Sequence, residues 1–231
     1  MRAGPAFVLI PSPLVGPGTF EPLRAELAAL CHDASVVQGE LPVGPPYWRG
    51  WAASIRESLP TGPAVLVGHS GAGPVLDLVA DGDANVTTVI GLDASLIEPG
   101  TRLLDKFDDA RLASPEVQEG FTRGVFPNPW RSPALWQRVD IALPDAERYA
   151  ADSRELPLDW YRESLPIAST NAPHGYLAFV PNPFYAPIAQ RCRERGWPVR
   201  ELPGMHFHFL VNPVEVADAL VAMVSELEAG E

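Results

Sequence analysis

The chain has 231 residues, 46% of them hydrophobic and 20% charged, and a net charge of -12 at neutral pH. That length and balance suit one globular domain with a single sizeable core and exclude an intrinsically disordered chain. The negative charge, with seventeen scattered Lys and Arg, excludes a nucleic-acid partner and disfavours an anionic membrane surface, since each needs a basic patch.

No apolar run approaches the roughly 20 residues of a membrane span, and the start M-R-A-G-P-A-F-V-L-I-P reads as a first strand rather than a signal peptide. With Cys31 and Cys192 as the only cysteines, no disulfide framework is indicated and a reducing cytoplasm is the expected setting.

Residues 7–10 are an apolar β-favouring run, broken by P-S-P-L-V-G-P-G at 11–18, whose prolines and glycines forbid regular structure. A helix is expected over 21–30, with Leu23, Leu27 and Leu30 on one face. A second strand follows at 35–38, and a second helix at 48–59 after a Pro-rich link. The third strand at 64–67 leads to a third helix at 71–79. A fourth strand at 86–92 stops at Asp93. Strands alternating with helices at this spacing predict an α/β fold with a parallel sheet covered on both faces.

That rhythm fails from 97 to 173. Helical pieces are expected at 115–121, 134–139, 146–152 and 158–164, with no strand signal and with Trp130, Trp136 and Trp160 among them. This stretch reads as a helical lid inserted over a core made of 1–96 and 174–231. Alternation resumes with a strand at 176–180, a helix at 186–195, a strand at 199–202, the loop P-G-M-H-F-H at 203–208 and a closing amphipathic helix at 213–227.

The stretch A-V-L-V-G-H-S-G-A at 64–72 has the form of a nucleophile elbow, a sharp strand-to-helix turn with one serine at its tip. Such a turn strains the serine backbone and leaves room only for small neighbours, which Gly68 and Ala72 supply. The following helix points its unpaired N–H groups at Ser70, where developing negative charge is favoured.

Ligands of open parallel sheets sit beyond the carboxyl ends of the strands. The loop 11–18, Ser70, Asp93 and His206 all arrive there. A serine hydroxyl needs a base to take its proton, and the base needs a carboxylate to hold its tautomer. Ser70, Asp93 and His206 meet that need in residue type and chain order.

With these residues the chain resembles a compact member of the α/β-hydrolase superfamily. G-H-S-G-A at 68–72 is similar to the family's elbow and P-G-M-H-F at 203–207 to its histidine loop, while V-L-I-P-S-P-L-V-G-P-G-T-F at 8–20 stands where the family has its oxyanion loop. The resemblance implies a Ser70, His206 and Asp93 triad, and it leaves the lid to set the substrate. Two departures stand out. The family's usual acid follows the strand after the lid, but here that strand runs into P-N-P-F-Y at 181–185, with no carboxylate until Glu194; the alternative acid position after the fourth strand falls on Asp93. In the oxyanion loop Pro11-Ser12 replaces the usual His-Gly pair and Pro13 has no N–H. Gly71 is then the first oxyanion donor, and Leu14 or Val15 the second.

His69, Trp130, Trp136, Tyr185 and His208 are candidates for the substrate pocket, each against a plainer role in packing, while His32 and His174 read as surface or packing residues. The sequence offers no ligand set with metal spacing and no phosphate-binding glycine loop, so no metal or cofactor is expected. The leading expectation is a serine-dependent acyl hydrolase acting on a small, largely apolar ester, thioester or lactone. A lyase, eliminase or cyclase with His206 as general base, of the kind used in natural-product biosynthesis, is the alternative, and an idle ligand-binding scaffold is a third reading. The expected partner is a small-molecule acyl substrate, with a homodimer left open.

Overall fold

In the computed structural model, residues 4–229 are described; Met1 to Ala3 of the N-terminal run lie outside them. Six strands, β1 (Ala6–Ile10), β2 (Ala34–Val36), β3 (Ala64–His69), β4 (Val86–Leu92), β7 (His174–Val180) and β8 (Val199–Pro203), form one parallel sheet in the order β2-β1-β3-β4-β7-β8. Between β4 and β7 a second, two-stranded antiparallel sheet pairs β5 (Val125–Phe126) with β6 (Leu156–Pro157). The sequence reading placed no strand there, because two-residue strands leave no alternation to detect.

The helices cover both faces. They are α1 (Glu21–Ala29), α2 (Tyr47–Arg56), α3 (Leu76–Ala80), the short helices α4 (Asp109–Leu112), α5 (Pro115–Thr122), α6 (Pro133–Gln137), α7 (Leu143–Asp152) and α8 (Leu158–Arg162) between β4 and β7, then α9 (Ala186–Glu194), α10 (His208–Val211) and α11 (Pro213–Ala229).

Alternation within each strand divides the core in two. Phe7, Leu9, Val65, Val67, Ile90, Leu92, Leu177 and Phe179 face α1 and α11, where Leu23, Leu27, Leu220 and Met223 close over them. Their neighbours Val8, Ile10, Leu66 and Val89 face α2 and α3, against Trp48, Trp51, Ile55 and Val79. Segment 97–173 extends both layers, with Trp136, Ala146 and Tyr149 joining the first and Phe126, Leu158 and Trp160 the second. Each fully buried Leu, Ile or Phe contributes about 1.5–3 kcal/mol.

The register sets the site. Gly68 pairs with Gly91 and His69 with Leu92, so β3 and β4 end side by side; Leu92 pairs with Leu177, and Val180 with Pro203. The turns after β3, β4, β7 and β8 therefore leave adjacent strand ends.

Candidate active site

Ser70 sits where β3 gives way to a 3-10 turn, Ser70–Val75, which continues into α3. Its φ of 55° lies in the left-handed region, a conformation that costs a non-glycine residue about 1–3 kcal/mol and is tolerated where surrounding structure enforces it. The enforcement is visible on both sides. A side chain at Gly68 would meet Leu76 at 2.7 Å, and one at Gly73 would overlap the carbonyl oxygen of Ser95. Ser95 in turn donates its N–H to the Ser70 carbonyl at 2.8 Å.

Asp93 follows β4, also at a left-handed φ of 41°. Its side chain is wholly buried, and a buried carboxylate needs donors. It has them. Oδ2 receives His206 Nδ1 and Asn182 Nδ2, each at 2.7 Å, and Oδ1 receives the Phe179 N–H at 3.4 Å. Because a carboxylate only accepts, the His206 proton is fixed on Nδ1 and the lone pair on Nε2.

His206, on the loop after β8, is flanked on three sides. His69 lies 4.4 Å from its ring and donates Nε2–H to its carbonyl oxygen at 2.9 Å. The Tyr185 ring stacks on it at 4.8 Å and 12°, and the Trp130 indole faces it at 5.9 Å and 28°. Burial, reinforced by the neighbouring His206, holds the His69 pKa well below the usual histidine value, so His69 is neutral. Its Nδ1 has no protein partner among the described residues.

The hydroxyl of Ser70 bonds to the Tyr185 hydroxyl at 3.1 Å; among the described residues no hydrogen bond joins it to His206. Catalytic contacts in ligand-free sites often tighten only with substrate bound. The oxyanion-loop candidates lie against the elbow, since a side chain on Gly71 would come within 3.2 Å of Ser12 Oγ and 3.3 Å of Pro13. Leu14 N–H points to Ser12 Oγ at 3.4 Å and Val15 N–H to the Ser12 carbonyl at 3.1 Å. Asn128, buried in segment 97–173, donates to the Leu14 carbonyl at 2.7 Å and to that of Arg154 at 2.8 Å, and accepts the Trp130 N–H.

The other sequence candidates fall into two groups. Tyr185, His69 and Trp130 are at the site. Trp136 is fully buried behind it, donating Nε1–H to the Trp130 carbonyl at 2.7 Å and packing on Phe207 and Tyr149. His208 pairs with Glu215 at 2.8 Å and packs on Phe179. Asn182 and Asn128 escaped the sequence reading. The gap left by the missing acid after β7 was the one hint of Asn182, and nothing marked Asn128.

The sheet order and the strand-turn-helix at Ser70 define the α/β-hydrolase fold, and the chain has it. Among solved structures, an extracellular α/β-hydrolase from a Paenibacillus species superposes with a TM-score of 0.77 at 18% identity, covering 95% of this chain and 99% of that one. Polyneuridine aldehyde esterase gives 0.71 at 16%, covering 95% and 99%, and tomato methylketone synthase I complexed with 2-tridecanone gives 0.74 at 15%, covering 97% and 99%. No family model matches the sequence, and no curated protein matches it significantly. Among the described residues no helix is long and apolar enough to cross a membrane, and no cluster of His, Cys, Asp or Glu has the makings of a metal site.

Proposed function

We propose that the protein is a serine-dependent acyl hydrolase acting on a small, largely apolar ester, thioester or lactone. The observation that carries this reading is the buried Asp93 carboxylate on His206 Nδ1 at 2.7 Å, which leaves Nε2 as a base beside the turn that holds Ser70 in a strained backbone. Ser70 adds to the acyl carbon while His206 takes its proton; the leaving group departs with that proton, and water repeats the sequence to release the acid. Gly71 and Leu14 donate N–H groups to the oxyanion, Leu14 exchanging its long bond to Ser12 for the shorter one; each donor is worth about 3 kcal/mol in the transition state. Trp130 and Tyr185 give the acyl group aromatic walls. Similarity in fold to an esterase supports ester chemistry.

We take 97–173 as a cap over the core of 1–96 and 174–231, because Trp130 reaches His206 and Asn128 holds Leu14. Cysteine usage, with Cys31 exposed and Cys192 buried as free thiols, supports a cytoplasmic setting.

One observation favours elimination or cyclisation by His206 as general base: the Ser70 hydroxyl is engaged by Tyr185. The similarity in fold to a protein named a synthase rather than a hydrolase supports a reaction other than hydrolysis. Replacing Ser70→Ala and assaying nitrophenyl esters of graded chain length separates the two. Acyl hydrolysis falls by about 10³-fold or more; a variant that keeps most of its turnover contradicts a serine nucleophile.

A further inference from the structure

We propose that Tyr185 is a catalytic residue of this site, its phenol O–H donating to the substrate carbonyl oxygen as Ser70 adds to the carbon. The proposal rests on Ser70 acting as nucleophile.

Three observations carry it. First, the Tyr185 hydroxyl lies 3.1 Å from Ser70 Oγ, the distance of a group that also reaches atoms bonded to that oxygen. Second, the ring is fixed. It stacks on His206 at 12°, packs among Ala94, Ile188, Ala189 and Cys192, and meets Phe184 at 4.9 Å. Its backbone N–H bonds to the Asn182 carbonyl at 3.1 Å, so one turn, 181–185, sends Asn182 to Asp93 and Tyr185 to Ser70. A donor held this way needs no reorganisation when charge develops.

Third, the oxyanion loop is poor in free donors. Pro13 has no N–H, and the N–H groups of Leu14 and Val15 already have acceptors in Ser12. A phenol beside Ser70 adds a donor to that set. Burial pushes its pKa well above the ordinary tyrosine value, which keeps it protonated and a donor throughout the working range.

The step balances without a proton leaving the tyrosine. The Ser70 proton passes to His206 Nε2, the Oγ–carbon bond forms, and the carbonyl π pair moves onto the oxygen, where Tyr185 joins Gly71 and Leu14 as a hydrogen-bond donor. When the π bond re-forms, the bond to the leaving group breaks and that group takes the proton from His206.

The test compares Tyr185→Phe with the parent enzyme on a nitrophenyl ester, with rates expressed per Ser70 titrated by a fluorophosphonate, so that a partly folded preparation still reports. We expect kcat to fall about 10²- to 10³-fold with KM within threefold. A trifluoromethyl ketone, whose adduct with Ser70 carries an oxyanion, should lose affinity by a similar factor. Phenylalanine keeps the stacked ring, so a purely packing role would leave both readouts unmoved. A kcat within threefold of the parent, or a faster variant with lower KM, overturns the proposal while leaving the serine hydrolase reading intact. If Ser70→Ala turns over as the parent does, both fall together.

Discussion

Asn182 donates its side-chain amide to Asp93 Oδ2 at 2.7 Å, the oxygen that also receives His206 Nδ1–H. A donor on the charged carboxylate favours ionisation. Replacing it by the near-isosteric Asn182→Leu should loosen the hold on the carboxylate that orients His206 and lower kcat about tenfold, which corresponds to losing one bond to a charged group. Steady-state kinetics check this: a kcat within twofold of the parent would show that His206 alone suffices to hold the acid.

Gly73 tolerates no side chain, because a Cβ there overlaps the Ser95 carbonyl oxygen. Gly73→Ala should therefore force apart the turns bearing Ser70 and Asp93 and cost about 1–3 kcal/mol or more. Gly62→Ala, with nothing within 4 Å, is the control and should stay within about 0.5 kcal/mol. Urea midpoints for the two variants check this; equal midpoints would mean that the elbow is not tightly packed against the loop after β4.

His69 makes stability pH-dependent. Its pKa is lowered in the folded protein by burial first and the neighbouring His206 second, so below about 6.5 the unfolded chain binds a proton that the folded chain refuses. Its contribution is thus present above that pH and is lost as the pH falls. Stability should therefore fall between pH 7.5 and 5.5. His69→Gln keeps a donor for the His206 carbonyl and has no such titration, so its stability should fall less over the same interval. Parallel losses in urea unfolding at the two pH values would refute the buried neutral histidine.

Trp130 comes from segment 97–173 yet faces His206 at 5.9 Å. Trp130→Ala removes an apolar wall and leaves the reacting groups in place, so KM for apolar esters should rise about tenfold, the loss of a few buried methylenes' worth of contact, with kcat within threefold. Steady-state kinetics over acyl-chain length read this out. A fall in kcat at constant KM would instead make the indole a support for His206.

The residues of the site were legible in the sequence to the degree that local chemistry demanded them. Gly68 and Ser70 mark a turn that few residues tolerate, Asp93 and His206 stand at the ends of β-favouring runs, and the alternation of strand and helix segments made the parallel sheet readable from β1 to β4 and again at β7 and β8. Tyr185 was a candidate only by neighbourhood, since its bond to Ser70 depends on how the turn after β7 packs, and P-N-P-F-Y carries no periodicity. Asn128 and Asn182 act on backbone and carboxylate atoms distant in the chain, so no spacing announces them. Helix α10 follows directly on the histidine loop, and at four residues, His208–Val211, it is too short to show a 3.6-residue pattern. Trp136 shows the converse error of emphasis, an aromatic of segment 97–173 offered for the pocket that sits wholly in the core.

The most direct measurement is the rate and position of fluorophosphonate labelling, followed by intact mass and peptide mapping. The account predicts one adduct on Ser70, none on Ser70→Ala, and labelling slowed by on the order of 10²-fold or more in His206→Ala and Asp93→Asn, which lose the base or its tautomer. A folded, active enzyme that takes up no label at Ser70, or that labels at an unchanged rate without His206, would contradict it.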